Sequence, residues 1–146
     1  MSEEELWNFL SRGKVMALAT IDEKGYPHNT PVWYVILDRT LYFRGGSDKK
    51  KIRNIKKNSK VSLTVEAGAK YTQQRGIMIQ GEARRVTNGK LKNFVNRLLL
   101  SKYEELRNYE DMPSVWRRKF ENEDREIIEI VAKKIVSWDN RKWVSK

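Results

Sequence analysis

The strongest constraint on the fold is a series of short apolar segments separated by turns. Most of them alternate between apolar and polar residues with a period of two, which is typical of β-strands. Short connections within pairs of segments favour antiparallel pairing, and six strands are enough to close a small barrel. The six segments cover residues 14–21, 30–37, 41–43, 61–65, 77–86 and 126–138.

Helical patterns lie around these strands. Glu3–Leu10 carries Leu6, Phe9 and Leu10 on one face, Asn88 precedes a second amphipathic stretch, and a third follows Pro113 with Trp116 and Phe120. A chain of 146 residues is most often one domain with a single core. We therefore predict one α+β domain over residues 1–146, with a barrel at its centre and flanking helices.

The composition excludes several classes of site. The chain has no cysteine and one histidine, His28, so disulfides, thiolate metal sites and cysteine nucleophiles are excluded, and we predict no metal site. No apolar run approaches the roughly 20 residues of a membrane span. The acidic start, Met1-Ser-Glu-Glu-Glu, does not resemble a signal peptide. We expect a cytoplasmic protein without a membrane partner.

The positive charge is concentrated in one stretch, RGGSDKKKIRNIKKNSK. The formal net charge of the chain is +11, and residues 44–60 alone contribute +7. The pattern predicts a short helix that begins near Asp48, with Ser47 or Asp48 as its N-cap. Lysines in its first turn oppose the helix dipole by roughly 0.3–1 kcal/mol each.

An anion would reverse the sign of that effect. Amide groups at the helix start, the dipole and two or three lysines would converge on one phosphate. Gly45 and Gly46 would let the backbone come close, and Ser47 would add a hydroxyl donor. Two other readings stay open: a solvated lysine face, and a nucleic-acid-binding surface in which Tyr42, Phe43 and Tyr71 stack on bases. Against the nucleic-acid reading, the charge is confined to one segment.

The order and spacing of several segments resemble the pyridoxamine-phosphate-oxidase-like family of flavin-binding split barrels. The segments are HNTPVWYVILDRTLYF, GGSDKK, KIRNIKKNSKVSL, IMIQGEARRV and KIVSWDNRK. Together they extend from about Gly13 to Lys142. The resemblance implies a six-stranded antiparallel split β-barrel that forms homodimers, with FMN bound in clefts at the dimer interface.

The same resemblance implies the cofactor-binding residues. The flavin would lie along the backbone of the second strand, and a basic pair after the third strand would contact its phosphate. The first residues of the fifth strand would add a contact, for which Gln74 or Arg75 would replace the family's glutamine. The implied contacts are Pro31, Val32, Trp33, Tyr34, Gly45, Gly46, Ser47, Lys50, Lys51, Arg75 and Trp138.

Three candidate side chains have alternative roles. Trp138 and Trp143 would stack beside the flavin ring or pack in the core or at the dimer interface. His28 would bond to a cofactor, act as an acid, or ligate haem as in some split barrels, but no cluster of other ligands supports these roles. The sequence identifies no catalytic residue.

The C-terminal tail departs from the enzyme that gives the family its name. Pyridoxamine-phosphate oxidases hold their substrate with an Arg-x-His pair there, whereas the tail SWDNRKWVSK has no histidine. The resemblance therefore implies a relative that transfers hydride or electrons to another small substrate. The alternatives are a deazaflavin-dependent reductase of the same fold, whose acidic cofactor tail would suit the lysines, and a flavin carrier or sensor without turnover.

Overall fold

A computed structural model of the chain describes residues 1–103, 113–115 and 125–144. The predicted helix positions Trp116 and Phe120 lie outside these residues. In the described part, no helix is long and apolar enough to cross a membrane. Its α-helices are α1 (Glu3–Arg12), α2 (Lys50–Lys57), α3 (Gly89–Lys102) and α4 (Arg141–Val144).

The strands form one antiparallel sheet, and the predicted α+β class is confirmed. The sheet order is β2-β1-β5-β6-β7-β4-β3. The sheet has seven strands, so the predicted number of six is wrong. They are β1 (Val15–Ile21), β2 (Pro27–Trp33), β3 (Val35–Leu37), β4 (Thr40–Gly46), β5 (Lys60–Ala67), β6 (Arg75–Arg85) and β7 (Arg125–Asp139).

The extra strand arises because one predicted strand is divided at Tyr34. Its first part, β2, pairs with β1, and its second part, β3, pairs with β4. These two parts are the opposite edges of the sheet, yet they are consecutive in the chain. The sheet must therefore curl until its edges meet at Tyr34, which makes it barrel-like.

Local sequence signals account for the connections. Asp38 and Arg39 both have positive φ, 49° and 59°, which is the requirement of the two-residue hairpin turn between β3 and β4. The predicted cap of α3 is confirmed, because the Asn88 side chain accepts hydrogen bonds from the amides of Lys90 and Leu91.

Two apolar clusters hold the sheet and helices together. The main core lies inside the curl and includes Leu18, Phe43, Ile52, Ile79 and Ile130. A smaller cluster lies under α3 on the outer side of β3, β4 and the start of β7. No helix among the described residues covers the rest of the outer surface, which is formed by β2, β1, β5, β6 and the end of β7.

This uncovered surface, which we call the open face, carries several exposed apolar side chains. Val15, Trp33 and Val136 on it are 45%, 37% and 41% exposed. Directly paired residues have side chains on the same face of a sheet. One continuous row of such pairs crosses five strands, formed by Pro31, Ala17, Thr64, Met78 and Val136.

A bulge at Lys133 shapes the curl of β7. Gly81 pairs with Ala132 and Gln80 with Lys134, so Lys133 is the additional residue. A Cβ on Gly81 would lie 2.3 Å from the Val131 carbonyl oxygen. The bulge therefore requires glycine at position 81.

Replacing Gly81 with alanine is expected to lower the free energy of unfolding by about 2 kcal/mol, because the backbone of β7 would have to move. Urea unfolding of the variant and the wild type measures the difference. Gly89→Ala is the control, since a Cβ there meets nothing within 4 Å and favours the helix. Equal stabilities of the two variants would contradict this account of the bulge.

Candidate functional site

The edges of β2 and β4 diverge from Tyr34 and leave an opening, which we call the split. β2 pairs with β1 through one edge, and β4 pairs with β3 only as far as Tyr42. β2 and β4 approach each other without forming a ladder. In the described residues, no strand pairs with the second edge of β2. None pairs with Phe43–Gly46 on the edge of β4 that faces β3. Backbone donors and acceptors at the second edge of β2 are therefore available to a ligand.

Basic side chains gather at the end of the split, around Gly45 and Gly46. The Lys51 side chain crosses Gly45, with its Cε 3.6 Å from the position that a Cβ would occupy there. Arg125, the first residue of β7, pairs with Gly46. Lys49 precedes α2. Burial lowers the pKa of Lys51, and the positive charges of Lys49 and Arg125 lower it further.

No side chain caps the start of α2, which lies beside this cluster. The predicted N-cap, Ser47 or Asp48, is wrong: the helix begins at Lys50, and its N-cap is Lys49, whose side chain makes no capping bond. The first turn contains no acid. The positive end of the helix dipole therefore adds to three cationic side chains, and a bound anion would relieve this repulsion.

The other lysines of α2 face carboxylates instead. Lys50 Nζ lies 3.6 Å from Asp22, Lys56 Nζ 3.2 Å from Glu126 and Lys57 Nζ 3.5 Å from Glu23. The implied phosphate pair, Lys50 and Lys51, thus has its two ammonium groups on different sides of the helix. Lys51 has Lys49 and Arg125 as its neighbours.

The glycines and Ser47 also lie at this end. Gly45 and Gly46 continue β4 rather than breaking it, which corrects the predicted end of the strand at Phe43. A Cβ on Gly45 would lie 3.0 Å from Ile52 Cδ1, so this glycine lets α2 pack closely on the strand. Ser47 lies in the turn between β4 and α2.

The inner face of β2 carries two buried polar atoms, His28 Nδ1 and Thr30 Oγ1, that have no hydrogen-bond partner among the described residues. His28 pairs with Thr20, whose hydroxyl accepts a hydrogen bond from Asn54 of α2 at 3.0 Å. His28 is therefore on the side of the sheet that α2 covers. Val32 continues this inner face, whereas Pro31 and Trp33 are on the open face.

Three side chains hold the other end of the split at Tyr34. The Tyr34 amide donates to the Tyr103 hydroxyl at 2.8 Å, and its carbonyl accepts from Lys102 Nζ at 2.8 Å. The Trp33 and Tyr103 rings stack with their centroids 4.5 Å apart. Burial lowers the pKa of Lys102 to about 8 and raises that of Tyr103 to about 12.

The pKa of Lys102 predicts a stability that depends on pH. The unfolded chain keeps a lysine pKa near 10.4, so between about pH 8 and 10 it binds more protons than the folded chain, and stability rises with pH. From pH 7.5 to 9.5 we expect the wild type to gain about 1–2 kcal/mol relative to Lys102→Met, after allowance for solvent screening. Urea unfolding at both pH values measures this gain, and a constant difference would contradict it.

Arg75 and Trp138 lie far from Lys51 within one chain. They belong to the pairs Arg75–Asp139 and Gly76–Trp138, where β6 begins and β7 ends. Gly46 pairs with Arg125 at the other end of β7. The Arg75 guanidinium lies 5.1 Å from the Phe9 ring centroid. Trp138 covers Gly76, where a Cβ would lie 2.4 Å from its ring. A single site that includes Lys51 and these two residues therefore needs a second copy of the chain.

A second basic cleft of about 590 Å³ lies between the outer side of α2 and the β1–β2 turn. Its lining includes the exposed Tyr26 and the basic residues Lys24, Lys50, Arg53, Lys56 and Lys57. Asp22 and Glu23 partly neutralise it. Across residues 1–103, 113–115 and 125–144, no group of three metal-ligating side chains lies together.

The C-terminal turn holds an arginine that is already bonded. Arg141 makes two hydrogen bonds to the Asp139 carboxylate, at 2.9 and 2.7 Å. These bonds lower the pKa of Asp139 to about 2. The guanidinium of Arg141 is thus occupied by a carboxylate of the protein itself.

Sequence reasoning missed Arg125, Lys102 and Tyr103. Arg125 lies 74 positions after Lys51, and nothing local connects it with the lysine cluster. Lys102 and Tyr103 follow the last apolar residues of α3, where a basic residue is an ordinary helix ending. The only available signal was the position of a tyrosine directly after the helix.

Comparison with known proteins supplies a family. The family described as pyridoxamine 5'-phosphate oxidase matches residues 2–139. No curated protein matches the sequence. The conserved hypothetical protein Rv2991 from Mycobacterium tuberculosis is similar in structure, with a TM-score of 0.84 and 29% identity over 99% of this chain and 88% of that chain.

Two more distant structures share the fold. A FAD-binding protein from Mesorhizobium loti has a TM-score of 0.71 and 17% identity, with 94% of each chain covered. The haem storage protein HutZ from Vibrio cholerae has a TM-score of 0.70 and 15% identity, over 94% of this chain and 93% of that chain.

Proposed function

Because the chain belongs to the pyridoxamine 5'-phosphate oxidase family, we propose that it is a flavin-dependent oxidoreductase that binds FMN. The observation that supports this most is the cationic cluster of Lys49, Lys51 and Arg125 at the uncapped start of α2. Its repulsion is relieved by an anion of the size of a phosphate. A FAD-binding protein of the same fold, from Mesorhizobium loti, supports a flavin as the ligand.

The residues of the split fit the rest of such a cofactor. The free edge of β2 offers alternating amide and carbonyl groups, which suit the pyrimidine edge of an isoalloxazine ring. The buried Nδ1 of His28 and the buried Oγ1 of Thr30 would gain partners from a polar ligand. Lys51 would hold the phosphate, and the strand from Pro31 to Tyr34 would orient the ring. The flavin supplies the hydride chemistry, while the protein binds and tunes it.

We propose a homodimer in which the open face is the interface. The row from Pro31 to Val136 presents four apolar side chains and Thr64, which a second copy would cover. Arg75 and Trp138 of one copy would then complete the site around Lys51 of the other. This arrangement would explain why residues at opposite ends of one sheet share the flavin contacts that the family pattern implies.

Oxidation of pyridoxamine 5'-phosphate itself is not part of the proposal. The tail contains no histidine, and Arg141 is bonded to Asp139 rather than available for a substrate phosphate. We propose instead that another small molecule accepts hydride or electrons beside the flavin ring.

A deazaflavin is the second candidate cofactor, and the basic cleft beside α2 favours it. This cleft presents four basic side chains of α2 outside the Lys51 cluster. An acidic cofactor tail would find complementary charge there. Such a cofactor acts as a diffusing co-substrate, so purified protein would lack it.

Absorption spectroscopy of the purified protein tests the proposal. We expect an oxidised-flavin spectrum, and release by heat should give FMN at about one per chain. If the protein is colourless, titration with FMN and with a deazaflavin decides between the cofactors. Failure to bind either one would refute the proposed function.

A further inference from the structure

The ladder between β1 and β2 ends abruptly at the pair Val15–Trp33. The next pair would join Lys14 and Tyr34, but the side chain of Tyr103 stands between them. Its hydroxyl accepts from the Tyr34 amide at 2.8 Å and lies 2.8 Å from the Lys14 carbonyl oxygen. A side-chain oxygen thus occupies the place of a direct backbone hydrogen bond.

The proton of this hydroxyl has two carbonyl oxygens within reach. The Tyr103 oxygen also lies 2.7 Å from the Tyr34 carbonyl oxygen, to which Lys102 Nζ already donates at 2.8 Å. A hydroxyl has one proton, and a carbonyl oxygen can accept two hydrogen bonds, so either the Lys14 or the Tyr34 carbonyl accepts it. Lys102 and Tyr103 together satisfy the backbone groups that the broken ladder exposes.

Packing holds the tyrosine in this position. Its ring is 5% exposed and belongs to the cluster under α3, and one side of it stacks on Trp33 at an interplanar angle of 4°. Lys102 Nζ lies 4.0 Å from the Tyr34 ring centroid, and that ring is buried in the core. The hydroxyl therefore cannot leave the ladder without moving the end of α3.

We propose that the Tyr103 hydroxyl is a wedge that stops the β1–β2 ladder and thereby keeps the split open. Without the hydroxyl, the Tyr103 ring would still separate the two backbones, but the Tyr34 amide would lose its acceptor, and the end of β2 would be held less firmly where the chain crosses to β4. The free edge of β2 would then be displaced at the point where the split begins. This inference rests on the proposed function in one respect: the ligand that uses the free edge is the flavin.

Amide hydrogen exchange in the flavin-free protein tests the wedge itself. In the wild type, the Tyr34 amide should be protected like the ladder amides of β2, although no strand accepts from it. Tyr103→Phe should accelerate its exchange at least tenfold. Tyr42→Phe is the matched control, because it removes a hydroxyl from another buried tyrosine of the same cluster without touching Tyr34. It should change the exchange less than twofold.

Flavin affinity tests the consequence. We expect Tyr103→Phe to weaken FMN binding at least fivefold, and Tyr42→Phe to leave it within twofold of the wild type. Fast Tyr34 exchange in the wild type, or unchanged exchange in Tyr103→Phe, would overturn the wedge. Accelerated exchange with unchanged flavin affinity would overturn its link to the split. Absence of flavin binding by the wild type would refute the proposed function instead, and the exchange experiment would still decide the wedge.

Discussion

Replacing Lys51 with glutamate is expected to abolish flavin binding while the fold remains intact. The substitution removes a half-buried cation from the proposed phosphate site and adds an anion in its place. Loss of such a charged contact, with a like charge opposite the phosphate, costs about 3–5 kcal/mol of binding free energy. The dissociation constant for FMN should therefore rise by roughly 100-fold or more, which titration followed by flavin fluorescence measures.

The same substitution should not destabilise the flavin-free protein. Lys51 lies near Lys49 and Arg125, and it occupies the second position of α2, where the helix dipole favours an acid. Glutamate there would exchange repulsion for attraction. We expect the melting temperature of the flavin-free variant to equal or exceed that of the wild type. A large decrease would show that Lys51 has a structural role.

Lys90→Glu is the matched control for the charge change. Lys90 is also the second residue of a helix, α3, but it is exposed and far along the chain from the basic cluster. It changes the net charge by the same amount at the same helical position. Flavin affinity of this variant should stay within twofold of the wild type. If both variants lose the flavin equally, net charge rather than the Lys51 site controls binding.

The strands of the sheet could be predicted because each carries its own periodicity. In β6, the inward series Ile77, Ile79 and Ala83 is buried as the alternation indicates. The cap at Asn88 could also be predicted, since it depends on residues within a few positions of each other. Local patterns therefore determine most of the elements.

The division at Tyr34 could not be predicted, because its cause lies 69 residues away. Residues 30–37 are apolar on both faces and read as one strand, and only the Tyr103 hydroxyl interrupts it. The cationic cluster also depends on a residue that is distant in sequence. Lys49 and Lys51 are adjacent in sequence, whereas Arg125 reaches them only through the β4–β7 pairing. Side chains that act across the sheet leave no periodic signal.

Introducing a charge on the open face is expected to separate the proposed dimer and to remove the flavin with it. Val136 is 41% exposed and ends the row of paired residues that crosses five strands, a span of roughly 19 Å. Burial of a glutamate at a symmetric interface occurs twice per dimer and costs several kcal/mol without a partner charge. Val136→Glu should therefore raise the dimer dissociation constant at least about 100-fold.

Sedimentation velocity and flavin titration of the same samples measure both effects. Phe94→Glu is the control, because Phe94 is an equally exposed apolar residue, 42%, on α3 rather than on the open face. It should leave a dimer that binds flavin. Val136→Thr keeps the shape of the side chain without a full charge and should also stay dimeric.

The two readouts separate the interface from the site. If Val136→Glu is monomeric and has lost the flavin, the cofactor needs residues of both copies, as the distance between Lys51 and Trp138 in one chain requires. If the variant is monomeric yet binds flavin tightly, the split of a single chain is sufficient, and the roles proposed for Arg75 and Trp138 are wrong. If it remains a dimer, the open face is not the interface, because a carboxylate buried between two apposed sheets would not be tolerated.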